Sequence, residues 1–184
     1  TLTAHLHQLD QSTVLFTSPH LVRIEERIRL DGYSIPPQQF DAYLHEIMET
    51  ESSMNEQLTF FEITFLVACL CASRNNVDVF IVETGLGGRY DATRILPADV
   101  SVVTSLSLEH RDILGDTLAE IAAEKAAIAR PGRPLIVRSV NDPIAKVAIE
   151  YEAEHAGRPE LGEAHGVASV EWISIPEEVS FEQE

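Results

Sequence analysis

Four side chains of contrasting chemistry, Ser18, Glu83, His110 and Lys125, stand near the ends of short apolar runs or on an apolar stripe. Ser18 follows the run 13–16, Glu83 ends the run 77–82, and His110 lies six residues beyond the run 100–104. If those runs are parallel strands, their carboxyl ends are where loops converge and ligands bind. A hydroxyl, a carboxylate and an imidazole placed there can share a divalent cation, with oxygen donors favouring Mg2+ and imidazole an acceptable partner. Read singly, the same residues are a turn serine, a solvated strand-end glutamate and a surface histidine.

Lys125 adds weight to the first reading. Along residues 117–130 the apolar stripe is Leu118, Ile121, Ala122, Ile128 and Ala129, and position 125 completes that helical series. One reading has the lysine snorkel along the stripe to solvent. The other directs it into a site, where partial desolvation favours the neutral amine and opens it to covalent chemistry. Only two of the thirteen cations are lysines, Lys125 and Lys146. The glycine segment Gly85, Gly87, Gly88 ahead of Arg89 does not fit G-x-G-x-x-G, because position 90 is Tyr, and G-x-x-x-x-G-K-[ST] is absent from the chain. Its glycines serve either a close approach of backbone to a ligand or a turn with positive φ.

The elements that must position these groups follow from periodicity. Residues 1–9 carry a helical stripe with no capping signal, as if the chain starts inside a helix. Residues 13–16 read as a strand, and 24–30 as an edge strand closed by Asp31-Gly32. Pro36 and Pro37 open an amphipathic helix striped by Phe40, Tyr43, Leu44 and Ile47. Thr59 and Glu62 have capping-box spacing before a nearly all-apolar helix reaching Ala72. Runs 77–82 and 100–104 read as inner strands of a parallel sheet. A second capping box, Thr117 to Glu120, opens a helix stopped at Arg130-Pro131-Gly132. Residues 135–137 are a third strand, and Pro143 opens a helix with Ile144, Val147, Ala148 and Tyr151 on one face. The order is α/β: a mostly parallel sheet flanked by helices over residues 1–156, with one more strand and an acidic, mobile end within 157–184.

Composition excludes several functions. The 184 residues are 45% hydrophobic and carry a formal charge of −17, with −8 in residues 1–149 and −9 in residues 150–184. That sign is wrong for a nucleic-acid surface or an anionic membrane. Cys69 and Cys71, in an apolar run with no further cysteine, cannot build a zinc site and read as core thiols of a reducing compartment. No apolar run approaches the roughly 18 residues of a membrane span, so a cytoplasmic protein without membrane or nucleic-acid partners is expected.

Taken in order, several segments resemble the folylpolyglutamate synthase and dihydrofolate synthase family, a branch of the Mur-ligase-like ATP-dependent ligases. The carrying residues are Thr17-Ser-Pro-His-Leu21 with Glu26-Arg-Ile28, Thr59-Phe-Phe-Glu62, Glu83-Thr-Gly-Leu-Gly-Gly-Arg-Tyr-Asp-Ala-Thr93, Thr104-Ser105 with His110, Leu114-Gly-Asp-Thr117, and Glu124-Lys125-Ala126 before Pro131-Gly132. They span roughly residues 1–140, and the ordered set is far more specific than any member. The resemblance implies a Mur-ligase central domain of P-loop-NTPase type, with Ser18, Glu83 and His110 as magnesium ligands and Lys125 as a carbamylated lysine that orients metal; His110 and Lys125 are the catalytic candidates. Thr59, Phe60, Phe61 and Glu62, with Tyr90, Asp91 and Ala92, match the family's pterin-binding stretches, although capping gives Glu62 a sufficient structural role. The implied reaction uses ATP to phosphorylate a dihydropteroate or folate carboxylate, which L-glutamate then attacks.

Arg94, Glu109 and Ala127 stand where the family has Asn, Asp and Gly. The family's phosphate loop ahead of the first helix and its smaller C-terminal domain have no counterpart in these 184 residues, so the expectation is a ligase fragment inactive alone. Two alternatives are a non-catalytic pteridine-binding or interaction module derived from the family, and a Mur-type cell-wall ligase fragment. The Ser18 and Thr59 motifs argue against the latter.

Overall fold

The structure, a computed structural model, describes residues 2–54, 57–157 and 166–174. They pack as two compact units, Thr1–Gly85 and Leu86–Glu184, whose boundary falls inside the glycine segment.

In the first unit, helix α1 (Leu2–Gln8) leads into strand β1 (Thr13–Phe16). Strands β2 (Ile28–Leu30) and β3 (Tyr33–Ser34) form a hairpin through Asp31 and Gly32, at φ 49° and 86°. Positive φ at both central residues is the two-residue turn whose twist suits a hairpin. Helices α2 (Pro37–Ser52) and α3 (Phe60–Asn75) pack on each other, α3 also covers β1, and β4 (Val79–Val82) closes the order β3-β2-β1-β4. β1 is parallel to β4 and antiparallel to β2. No residue of α3 between Phe61 and Ala72 is exposed, as its apolar composition requires, and the Phe16 ring lies 5.7 and 5.8 Å from those of Phe61 and Phe65. The Thr59 cap forms as expected: Glu62 N–H donates to Thr59 Oγ1 (3.3 Å) and Thr59 N–H to Glu62 Oε2 (2.7 Å).

The second unit holds β5 (Ser101–Val103), β6 (Pro134–Arg138) and β7 (Ser169–Ile173), all parallel in that order. Helix α4 (Arg111–Leu114) is a single turn, α5 (Leu118–Ala126) carries the second capping box, and α6 (Pro143–Glu154) is capped by Asp142, which accepts from the N–H groups of Ile144 and Ala145. Its core is built from Val103, Leu135, Val137 and Ile149 among seven alanines. Buried Arg130 ties the end of α5 to the loop before β5, donating to the carbonyls of Leu96, Ile128 and Arg94.

The α/β class holds, and three of the five strand pairs among the described residues are parallel. Four expectations are corrected. The strands fall into two sheets, and β4 and β5 end their respective sheets instead of lying inside one. Residues 24–30 split into a 3-10 turn, Ile24–Arg27, and an inner strand, with β3 taking the edge. The helix opened by Thr117 ends at Ala126, before Pro131 is reached. In α6 the buried face is Ala145, Ile149 and Ala153, leaving Ile144, Val147 and Tyr151 exposed: the core selects small side chains there. The acidic end expected from residue 176 onward lies outside the described residues. No helix among the described residues is long and apolar enough to cross a membrane.

Candidate functional site

In the first unit, chain direction and pairing place two candidates together. Because β1 and β4 run parallel with Phe16 opposite Val82, both chains leave the sheet at the same end, and Glu83 N–H donates to Phe16 O (3.0 Å). Ser18 N–H donates in turn to Glu83 Oε2 at 2.9 Å. A hydroxyl and a carboxylate are thus neighbours at the carboxyl ends of parallel strands, and both offer the hard oxygen that suits Mg2+.

The loop bearing Ser18 is held by its own residues. Glu26 accepts backbone N–H groups from Leu21 (2.9 Å), Arg23 (2.9 Å) and Val22 (3.3 Å), and these bonds, Leu21 first, hold its carboxyl below the usual range. Thr17 N–H donates to Arg27 O (2.9 Å), while Arg27 Nε donates to His20 Nδ1 (3.0 Å). Arg27 is 8% exposed as a residue, and its guanidinium carbon lies 5.1 Å from the centroid of the Phe60 ring. Burial pushes it below its ordinary value.

Within the Thr59 to Glu62 stretch the four side chains have separate duties. Thr59 and Glu62 cap α3, and the hydrogen bonds from Thr59 hold the Glu62 carboxyl below its usual range. Phe61 packs against Gly85, where a Cβ would come within 2.7 Å of its ring. Phe60 is turned outward, at 55% exposure, and Thr59 is exposed beside it, whereas Phe61 and Glu62 are half-buried.

In the second unit, Asp91 closes the glycine segment: it accepts from Leu86 N–H (3.0 Å), Thr93 N–H (2.9 Å) and Thr93 Oγ1 (2.6 Å). Tyr90 is exposed and Ala92 half-buried. The two readings of the glycines both hold, at different positions. Gly87 takes φ 67°, a turn, whereas Gly88 lies so close to α5 that a Cβ would come within 2.7 Å of Lys125 O. Arg89 fastens this segment, donating through Nε to Glu124 (2.6 Å) and through a terminal nitrogen to Glu152 (2.7 Å). Those bonds, that to Glu152 foremost, raise its guanidinium above the ordinary value despite burial. Beside it a cavity of about 80 Å³ is lined by Arg89, Arg94, Ala127, Glu152 and His155, so two of the three positions departing from the family pattern meet at one cavity.

His110 is exposed, in left-handed conformation (φ 50°), and begins α4. Lys125 is buried along its stem at 23% side-chain exposure, and its Nζ reaches Glu109 Oε1 at 2.8 Å, next to His110 in the chain. Lys125 thus has a carboxylate partner, since Glu109 is half-exposed and long enough to meet it. Lys125 in turn holds the Glu109 carboxyl below its usual range. Among the described residues no three His, Cys, Asp or Glu side chains stand close enough to hold a metal by themselves.

The sequence names Arg27, Arg89, Glu109 and Glu124 only within motifs or as a departure, without the roles the structure gives them, and Glu152 not at all. Arg27 was hidden by the strand assignment, which sends alternate residues outward, whereas the 3-10 turn brings it in. Acidic partners for Arg89 were detectable only as excess charge on helix faces.

No protein-family model matches the chain. It is 43% identical over 141 residues to the dihydrofolate synthase/folylpolyglutamate synthase of Escherichia coli, covering 76% of this chain and 33% of that protein. To the Bacillus subtilis protein of the same name it is 36% identical over 176 residues, 92% of this chain and 41% of that one. Among solved structures, E. coli FolC in complex with DHPP and ADP superposes with TM-score 0.81 at 36% identity, over 93% of this chain and 38% of that one. The Yersinia pestis folylpolyglutamate synthase/dihydrofolate synthase complexed with AMPPNP and a Mn ion gives TM-score 0.78 at 33% identity, with 93% and 38% covered. The chain thus spans between a third and about two fifths of these proteins.

Proposed function

The chain belongs to the folylpolyglutamate and dihydrofolate synthase family, and on that premise we propose that it forms part of a ligase joining L-glutamate to dihydropteroate or a folate, with ATP forming an acyl phosphate on the acceptor carboxylate. The observation that carries the reading is the Ser18 to Glu83 junction: the backbone N–H of Ser18 donates to the Glu83 carboxylate at 2.9 Å, at the carboxyl ends of two parallel strands. Ser18 and Glu83 supply oxygen donors that fit Mg2+, and the family motif also implies metal-site roles for His110 and Lys125. A divalent ion bound there would neutralise charge on a transferring phosphoryl group. A complexed Mn ion and AMPPNP in the Y. pestis relative support that choice of cofactor and co-substrate.

The chain's own residues do the remaining work. Glu83 orients the Ser18 loop by accepting its N–H, Glu26 stiffens that loop, and Tyr90 offers an exposed aromatic face on which a pterin can stack. For Lys125 to carry a carbamate it must first leave Glu109. With no G-x-x-x-x-G-K-[ST] loop in its 184 residues, the chain by itself is expected to give no ligase turnover.

Titration of the purified chain with dihydropteroate, with and without MgATP, tests the reading. Saturable binding of dihydropteroate that responds to Mg2+ in the wild type and loses that response in Glu83→Ala is the expected result. Binding indifferent to both nucleotide and metal would favour a non-catalytic pteridine-binding module, and ATP-dependent glutamate addition by the chain alone would overturn the inactivity.

A further inference from the structure

Arg27 is a cation in an unusual position: buried, with no carboxylate paired to it among the described residues. The two acids beside it in sequence are already engaged, Glu25 by Arg23 (3.0 Å) and Glu26 by three backbone N–H groups. Its Nε is used on His20, and its terminal nitrogens are neither bonded within the protein nor sealed from solvent. Those terminal nitrogens carry four N–H donors and accept nothing. Because His20 Nδ1 accepts from Arg27, the ring proton sits on Nε2, so His20 too offers a donor. An aromatic face, Phe60, lies against the guanidinium. Donors without acceptors, beside one exposed ring, are the complement of a carboxylate carried on an aryl group.

We propose that Arg27 and His20 form a subsite for an aryl carboxylate, with Phe60 against the aryl ring. This deepens the proposed function and rests on it for the identity of the ligand: the pteroate acid ends in such a group, and the subsite lies two residues from Ser18 in the same loop. Arg27 thereby orients the carboxylate that is to be activated, and sets the His20 ring through its own Nε.

The test compares dihydropteroate with its analogue lacking the carboxyl group, by calorimetric titration of the full 184-residue chain, wild type and Arg27→Met. A lost charge-assisted hydrogen-bonding pair should weaken dihydropteroate about tenfold to a hundredfold and leave the carboxyl-free analogue within about twofold. Arg27→Lys, which keeps the charge without the fork, should fall between. Equal losses for both ligands would show that Arg27 merely supports the loop, and would overturn the subsite. Should Arg27→Met fail to fold, His20→Ala, at a half-exposed position, carries the same comparison, with a loss of about three- to tenfold confined to the carboxylate ligand. A parallel NMR titration with 4-aminobenzoate and with aniline, read on the His20 and Phe60 ring signals, separates the two readings. Saturable shifts with 4-aminobenzoate alone, without dihydropteroate binding, would sustain the subsite and sink the folate function. Dihydropteroate binding without a 4-aminobenzoate response or carboxyl dependence would do the reverse, and silence in every arm would sink both.

Discussion

Replacing Arg89 by Met removes a side chain that joins the glycine segment to both α5 and α6 through charge. Its bonds to Glu124 and Glu152 are 2.6 and 2.7 Å long, and the three side chains are 25%, 28% and 14% exposed. Each charge-assisted bond contributes about 1.5–3 kcal/mol at most, and two that share one guanidinium do not add in full. Partial exposure lowers the figure further, so the variant should lose roughly 2–4 kcal/mol. For a chain of this size that is a fall in Tm of roughly 5–15 °C.

Much of that loss is the cost of leaving two half-buried carboxylates without a partner. Adding Glu124→Gln and Glu152→Gln should therefore restore about half of it. Thermal and urea melts at pH 7 measure both losses. A triple variant no more stable than Arg89→Met would refute the reasoning.

Three further outcomes are expected. Glu62 and Glu120 both titrate below the ordinary value through their capping bonds, so their contribution is present above about pH 4.3 and is lost as pH falls through the lowered values; Gln at both positions, which still closes the box, should flatten the acid limb of an acid-unfolding curve without lowering Tm at pH 7. Gly88→Ala sets a Cβ against the carbonyls of Lys125 and Glu124, backbone that cannot turn aside, and should destabilise by about 1–3 kcal/mol in urea melts. Burial pushes the Cys69 thiol up to about 11 and raises Cys71 as well, so a thiol reagent at pH 8 should label neither in the native chain within the time that it labels both in urea.

Elements announced by local chemistry were legible in the sequence. Both capping boxes, the Asp31-Gly32 turn and the α3 run state their structure in types and spacing, and each is where it was expected. What failed was any inference that a stretch of alternating or striped residues must have one fate. Residues 24–30 alternate, yet the first half turns into a 3-10 turn because Glu26 bonds back to the N–H groups of 21–23. The α6 stripe was read from its largest apolar side chains, whereas the core there accepts the smallest. For the site, the order of motifs located Ser18 beside Glu83, but the length of Glu109 that lets it meet Lys125 is a matter of reach, and no periodicity reports reach.

The alanine-built core of the second unit makes size, and not polarity, its point of weakness. Ala122, Ala126, Ala145 and Ala153 are at most 1% exposed, and α5 and α6 pack on one another. A helix pair joined through methyl groups brings backbone near backbone, so nothing can rotate aside to admit a larger neighbour. Substitutions that chemical similarity ranks as mild, Ala to Val or Leu, are then the ones this unit tolerates least. The first unit, where Phe16, Phe40 and Phe65 fill the interior, has its weakness in the opposite direction: it is harmed by shrinkage. One chain thus carries two opposite rules for reading its variants, and the rule changes within the glycine segment.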